Sequence, residues 1–248
     1  MLDLEAIKST EELLQKAKCL EGKTLRQIRP DIVDSDKESR VKSKGAAGYA
    51  IEEGFFGIKP NSRGEPDIPR LGVEIKTCPL KCNPSNGMLA VKEPLSLNMI
   101  DYMEEYKSGD IAHSSFYKKN KLTLFVCYIH DKSKKRSEYP VKYVFYWKID
   151  HGVIAELTPD YNEIIGLIKA GRARDIHQKD NEYLTLCPKH NGKFKDPNEP
   201  TSKVNQPFSS TKAEKKAFRL KTVYVAKIIC RHLGVEPTKI GRGYWWRA

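Results

Sequence analysis

A mixed α/β fold, with a central sheet flanked by helices, is predicted by three features of the 248-residue chain. Segments with apolar residues at helical spacing alternate with strand-like runs, one segment follows the two-residue strand period, and one run of eight is apolar almost throughout. In order, Leu4 to Ala17 carries apolar residues at helical spacing, and Lys44 to Phe55 places Ala47, Ala50, Ile51 and Phe55 on one helical face. Leu71 to Cys78 alternates as a strand. Leu122 to Ile129 is a continuous run of buried-strand type, and Tyr143 to Ile149 is an aromatic and β-branched strand. Tyr161 to Ala170 reads as a helix through Ile164, Ile165, Leu167 and Ile168. Tyr183 to Cys187 is a short strand, and Val223 to Leu233 is a helix stopped by Gly234. Asp131 to Glu138 reads as a hairpin loop. His190 to about Thr211 is a long polar loop holding Gly192, Pro197, Pro200 and Pro207.

Composition narrows the function classes. With 39% hydrophobic and 31% charged residues, the chain has enough apolar side chains for a core, which excludes a disordered tail or linker. No stretch approaches the roughly 18 consecutive apolar residues of a membrane span, and Met1-Leu-Asp-Leu-Glu5 lacks the basic start of a secretory signal. A cytoplasmic protein with no membrane partner is therefore expected. The six cysteines have no C-x-x-C pairing and read as free thiols rather than a zinc site. The six histidines show no ligand spacing. There is no Walker, G-x-G-x-x-G or G-x-S-x-G element, so neither a nucleotide cofactor nor serine-hydrolase chemistry is expected.

The net charge of +12 is unevenly placed. Residues 1–60 carry no excess, residues 61–150 an excess of +4 and residues 151–248 an excess of +8. A basic surface weighted to one end suits a polyanion, because neutralising phosphates releases condensed counterions.

The segment with chemistry is Glu65-Pro-Asp67-Ile-Pro-Arg-Leu-Gly-Val-Glu74-Ile-Lys76-Thr77. On a strand, Glu74 and Lys76 project from one face while Val73 and Ile75 point to the core. Asp67, just past Pro66, can fold back beside them. Two carboxylates converging on one point bind a divalent cation through hard oxygens, and an adjacent ammonium can orient water for attack on a phosphodiester. Glu-x-Lys by itself carries little information, since it also occurs at Glu21/Lys23, Glu105/Lys107 and Glu214/Lys216. Only Glu74/Lys76 sits on a clean alternating strand preceded by a turn-borne aspartate. A surface salt bridge on an edge strand is the plain alternative.

Wider context adds to this. Lys44-Gly-Ala-Ala-Gly48-Tyr-Ala-Ile-Glu52, then Phe55-Phe-Gly57, then Pro66-Asp67 and Leu71-Gly-Val-Glu74-Ile-Lys76-Thr77 resembles the MutH family of GATC-specific DNA endonucleases and the GATC-cutting restriction enzymes related to it, within the PD-(D/E)xK nuclease superfamily. Leu186-Cys-Pro-Lys189 resembles the family's DNA-reading loop, and Phe218-Arg-Leu-Lys221 leads similarly into the final helix. The resemblance covers roughly residues 40–233.

It implies a restriction-endonuclease-like fold of two lobes forming a DNA cleft. Residues 1–40 would be an N-terminal helical segment, 41–150 a catalytic lobe carrying the D-x6-E-x-K motif, and 151–248 a basic DNA-reading lobe. It implies Mg2+ as cofactor, held by Asp67, Glu74 and the Ile75 carbonyl, with Lys76 acting on the attacking water. Glu52 would be the helix-borne acid, although counting back from Gly57 favours Glu53. Lys119 matches a lysine near the scissile phosphate, or is one of the solvated run Lys118 to Lys121. Lys44 would touch the DNA backbone, Lys189 a base edge, and Lys212 and Lys221 phosphates. Cys187 stands where the mismatch-repair member has arginine. Arg219 stands where it has a tyrosine beside the adenine whose methylation it senses. The partner implied is double-stranded DNA at GATC sites, with a homodimer on the palindrome as one route to cutting both strands. A type II restriction enzyme is the leading expectation, with a strand-nicking repair enzyme or a non-catalytic DNA-binding module as alternatives. Tyr244-Trp-Trp246 reads as a docking patch or a sheet edge.

Overall fold

A computed structural model describes residues 1–32, 45–59, 63–189 and 203–247. Its helices are α1 (Thr10–Ala17), α2 (Leu25–Ile28), α3 (Ala46–Gly54), α4 (Tyr102–Glu105), α5 (Ser115–Asn120), α6 (His151–Lys169) and α7 (Thr222–Leu233). Its strands are β1 (Val73–Cys82), β2 (Leu89–Val91), β3 (Leu95–Met99), β4 (Leu122–Ile129), β5 (Val141–Lys148), β6 (Leu184–Pro188), β7 (Lys203–Val204), β8 (Ala213–Glu214), β9 (Lys216–Leu220), β10 (Thr238–Ile240) and β11 (Gly243–Trp246). Mixed α/β architecture of restriction-endonuclease type is what the sequence predicts. No described helix is long and apolar enough to cross a membrane.

Two compact units emerge, and neither is a continuous stretch of chain. The first comprises Met1–Glu93, Leu122–Lys148 and Ala226–Ala248; the second comprises Pro94–Lys121 and Ile149–Val225.

The first unit is built on a six-stranded sheet in the order β10-β11-β2-β1-β4-β5. β1 and β4 run parallel from Val73↔Leu122 to Leu80↔Ile129, and the other pairs are antiparallel. Val73, Ile75, Leu124 and Val126 are fully buried together with Leu13, Ala17, Leu25 and Ile51 from α1, α2 and α3. Removing such surface from water is the main stabilising term, at about 25 cal/mol per Å2. Phe125 stacks on Phe145 at 5.3 Å and meets Trp147 edge-on. These aromatics pack the sheet, as the sequence suggests. α1 begins at Thr10 because the Ser9 hydroxyl accepts the Glu12 amide at 3.1 Å. The expected start at Leu4 is thus six residues early. Trp246 is 1% exposed on β11, an internal strand, so this residue is neither a docking patch nor an edge.

The second unit holds a three-stranded sheet, β3-β9-β6, and the two-stranded β7-β8. α6 is capped by Asp150, whose side chain accepts the Val153 amide at 2.9 Å, and runs through Pro159. It therefore starts ten residues before the expected Tyr161.

Candidate active site

The turn before β1 brings the two acids together. Residues Pro69–Leu71 form one 3-10 turn that ends at Gly72 with φ of 65°, a left-handed conformation that L side chains adopt only at a cost. Beyond it the chain doubles back. The Ile68 amide donates to the Val73 carbonyl at 2.9 Å, and the Val73 amide to the Ile68 carbonyl at 3.2 Å. Asp67 is thereby set beside Glu74 and Ile75. The Asp67 amide donates to Glu74 Oε2 at 3.1 Å, and the Ile75 amide donates to Asp67 Oδ2 at 3.0 Å. Lys76 Nζ lies 2.5 Å from Glu74 Oε1. Glu74 is 1% exposed. Its ammonium partner keeps that buried charge compensated, whereas an isolated carboxylate there would carry a large desolvation penalty. The expectation of a surface salt bridge is thus not met at the Glu74 end.

Glu52 comes from α3. A Cβ built on Gly48 would lie 3.0 Å from Thr77 Oγ1 and 3.6 Å from Glu52 Oε1, so the missing side chain lets α3 lie close against β1. The Glu52 carboxyl is held above its ordinary range, first by burial; the Lys76 ammonium opposes this, and the charges of Asp67 and Glu74 add to it. Glu52 therefore senses the other three groups of the motif. Glu53 faces elsewhere and pairs with the Arg29 guanidinium. The choice between these neighbours, open in the sequence, falls geometrically on Glu52 as the acid beside the cluster.

Among the described residues no group of three or more His, Cys, Asp or Glu forms a ready metal cage. The donor chemistry present is that of Asp67 and Glu74 carboxylates next to the Ile75 backbone. Hard oxygens from one or two carboxylates, completed by water and substrate phosphate, are the usual protein contribution to a Mg2+ site. The residues therefore fit that ion.

The other sequence-predicted residues lie as follows. Lys119 on α5 is 7% exposed while Lys118 and Lys121 are exposed, so it does not belong to a solvated run. Lys44 lies outside the described residues. Lys189 is exposed at the end of β6, its amide bonded to the Lys215 carbonyl at 2.9 Å. Lys212 is exposed. Arg219 on β9 is half-buried and donates to Ser96 Oγ at 3.2 Å. The Lys221 ammonium donates to the Asn181 carbonyl, so part of its hydrogen-bonding capacity is used inside the protein.

Within the second unit, Lys212 lines a groove of about 510 Å3 with Arg174, His177, Gln178, Pro188 and Lys203. The sequence reading did not single out Gln178, which donates to Cys187 Sγ at 3.2 Å. Nor did it single out Lys216, 2% exposed, whose ammonium donates to the Ala173 and Ile176 carbonyls at 3.2 and 2.9 Å. Asp160 was missed as well. Its carboxylate accepts three successive amides, from Glu182, Tyr183 and Leu184, at 2.8, 2.6 and 2.8 Å, and so fixes the entry to β6. Nothing in the local sequence marks a lone helical aspartate for such a task.

Residues 56–160, which include the acid pair and Lys76, match the family model described as DNA mismatch repair enzyme MutH. Over that segment the chain is similar to MutH. It is 31% identical over 201 residues to the type II restriction enzyme Sau3AI of Staphylococcus aureus, an alignment covering 79% of this chain and 38% of that enzyme. It is 25% identical over 238 residues to the DNA mismatch repair protein MutH of Shewanella woodyi, covering 95% of this chain and 97% of that protein. MutH of Histophilus somni (strain 2336) is 28% identical over 182 residues, covering 72% and 76%. The chain thus spans well under half of the restriction enzyme and nearly all of the Shewanella repair protein.

Proposed function

We propose that this chain is a Mg2+-dependent, sequence-specific endonuclease of double-stranded DNA, a type II restriction enzyme cutting at GATC in the cytoplasm. The observation that carries the reading is the convergence of Asp67, Glu74 and Lys76 at the start of β1, with Glu52 beside them. Asp67, Glu74 and the Ile75 carbonyl would hold the metal ion. Bound there, the ion would supply Lewis-acid stabilisation for the charge that grows on a phosphate. Lys76 would orient the attacking water, and Glu52, held protonated more readily than an exposed carboxyl, would hold a proton near it. Lys119 would meet the phosphate being cut. A bond forms between the water oxygen and phosphorus while the P–O3′ bond breaks, leaving a 5′-phosphate and a 3′-hydroxyl. In this reading the catalytic part lies within residues 41–150, after the N-terminal segment 1–40. The DNA-reading part lies within 151–248 and uses Lys189, Lys212, Arg219 and Lys221, with Lys44 on the backbone. The groove cations Arg174, Lys203 and Lys212 support that assignment.

A second reading, strand nicking in mismatch repair, is favoured by the length match to the Shewanella protein, which one copy of this chain covers almost completely. One active site cuts one strand, so cutting both calls for a homodimer on the palindrome, sequential nicking, or a C-terminal domain beyond the given residues. The test is cleavage of a plasmid with mapped GATC sites in Mg2+ or in EDTA, with wild type and Glu74→Ala. Discrete GATC fragments, lost in EDTA and in the variant, are expected. Nicked circles alone would support the second reading. A salt-sensitive gel shift without cleavage would turn the acid cluster into a structural feature of a binding module.

A further inference from the structure

The loop Gln206-Pro-Phe-Ser-Ser-Thr-Lys212 carries a feature that the hydrolytic site does not explain. Phe208 is 70% exposed, the only exposed aromatic among the described residues. It is also the only described non-glycine residue with positive φ, at 58°. Exposure of a phenyl ring and a left-handed backbone are both unfavourable, and residues held in such conformations concentrate where the surrounding structure forces them.

Here the surroundings do force it. Gln206, 4% exposed, braces both ends of the loop: Oε1 accepts the Ala173 amide at 2.7 Å and Nε2 donates to the Thr211 carbonyl at 2.6 Å. Pro207 is buried. Gly171, with φ of 69°, passes so close that a Cβ there would stand 2.6 Å from the Phe208 carbonyl oxygen, so the crossing admits glycine alone. The Tyr106 ring meets Phe208 edge-on at 5.3 Å. The loop is therefore a rigid mount that displays a ring, not a frayed end from which a ring has slipped.

What the ring can engage follows from its neighbours. Ser209, Ser210, Thr211 and Lys212 are exposed and offer three hydroxyls and an ammonium, the donors that meet phosphate oxygens. No acidic residue occurs from Lys203 to Ala213. Thr211 and Lys212 line the same groove as Arg174, Lys203 and Pro188 at the end of β6, with Glu214 as its one acid. An apolar ring set among phosphate donors suits a duplex, in which a side chain can enter between base pairs while its neighbours hold the backbone. A protein partner of this surface would need acidic groups around an apolar socket.

We propose that Phe208 is a wedge residue that enters a base step of the bound duplex and unstacks it. This rests on the reading of the chain as a DNA endonuclease and adds a contact to it.

The experiment places 2-aminopurine at each position in turn of a GATC duplex and its flanks. Wild type, Phe208→Ala and Phe208→Gly are titrated with Ca2+ in place of Mg2+, with emission and anisotropy read together. At one register wild type is expected to raise the emission severalfold, and Phe208→Ala to return it to the level of free duplex. Affinity should weaken by about five- to a hundredfold, the range for losing one aromatic contact to a base. Phe208→Gly, which relieves the positive φ, should lose the emission rise without a lower Tm. If the ring serves only to pack on Tyr106, both variants melt lower and the emission change survives, which overturns the proposal. Duplex binding by wild type with no emission rise at any register overturns the wedge and leaves the nuclease reading intact. No duplex binding by wild type overturns both.

Discussion

Asp67 and Glu74 fasten each other's positions across the turn: the Asp67 amide donates to Glu74 Oε2 at 3.1 Å, while Asp67 Oδ2 accepts the amide of Ile75, the residue after Glu74. The hinge of this arrangement is Gly72 at φ 65°, with nothing within 4 Å of a built Cβ. Gly72→Ala therefore introduces backbone strain without a steric clash. It should cost about 1–2 kcal/mol of stability and reduce cleavage beyond what that loss explains, because the alanine backbone relaxes by moving Asp67. Thermal melts alongside plasmid cleavage check this; a variant that melts lower but cuts at the wild-type rate at 25 °C would contradict it.

Adjacent glutamates on α3 should behave oppositely. Glu52→Gln removes a carboxyl that sits with Asp67, Glu74 and Lys76, and should lower kcat by about 10²-fold or more, the range for losing a positioned acid or base. Glu53→Gln should leave kcat near wild type. It should lower Tm slightly, since it weakens only the half-exposed pair with Arg29. Equal loss of activity in both variants would show that the sequence ambiguity between them is real.

A pH dependence of stability follows from Glu105. Its carboxyl is 2% exposed, accepting the Tyr161 hydroxyl at 3.0 Å and the Ser115 amide at 3.3 Å. Burial raises its pKa above the ordinary 4.5, while the hydrogen bonds from Ser115 and Tyr161 and the charge of Lys118 pull it down. With the folded value above the unfolded one, the native state holds the proton more tightly. Glu105 then contributes most below the unfolded pKa, and its contribution is lost as pH rises through the folded pKa. The stability of wild type relative to Glu105→Gln should be greatest near pH 4 and decline toward neutrality. Melts of both proteins between pH 4 and 7 give the answer, and a difference that grows with pH would refute the sign.

Asp160 gathers three consecutive amides at the entry to β6 with one buried carboxylate. Asp160→Asn keeps the shape but weakens charge-assisted bonds, which are worth about 1.5–3 kcal/mol each at most. The amides of Glu182, Tyr183 and Leu184 should then exchange with deuterium faster than in wild type, while those of β4 do not. Unchanged exchange at these three amides would show that β6 is held by its pairing with β9 alone.

How far the sequence reveals all this depends on segment length. β4 is legible residue for residue because Leu122 to Ile129 is buried at nearly every position. β2 has three residues and β9 reads Lys-Ala-Phe-Arg-Leu, too short or too charged for a period to show, and both exist because neighbouring strands recruit them. The start of α6 is hidden by Pro159. A proline forfeits one helical bond, and here the eight helical residues upstream, His151 to Thr158, capped by Asp150, hold the helix regardless. Asp67, Glu74 and Lys76 are legible because turn chemistry and strand alternation fix their meeting locally. The roles of Arg29, Asp160 and Gln206 are not, since their partners are 24, 22 and 33 residues away.

The place of the β10–β11 hairpin has a consequence for synthesis. β2 ends at Val91, but β11, which covers its open side, begins at Gly243, so at about 5–20 residues per second a ribosome needs roughly 8–30 s to deliver the cover. During that interval the Leu89 to Val91 edge of the nascent chain presents unpaired amides and carbonyls to other chains emerging from the same polysome. Aggregation of this protein should therefore track how fast it is translated more closely than how stable it is once finished.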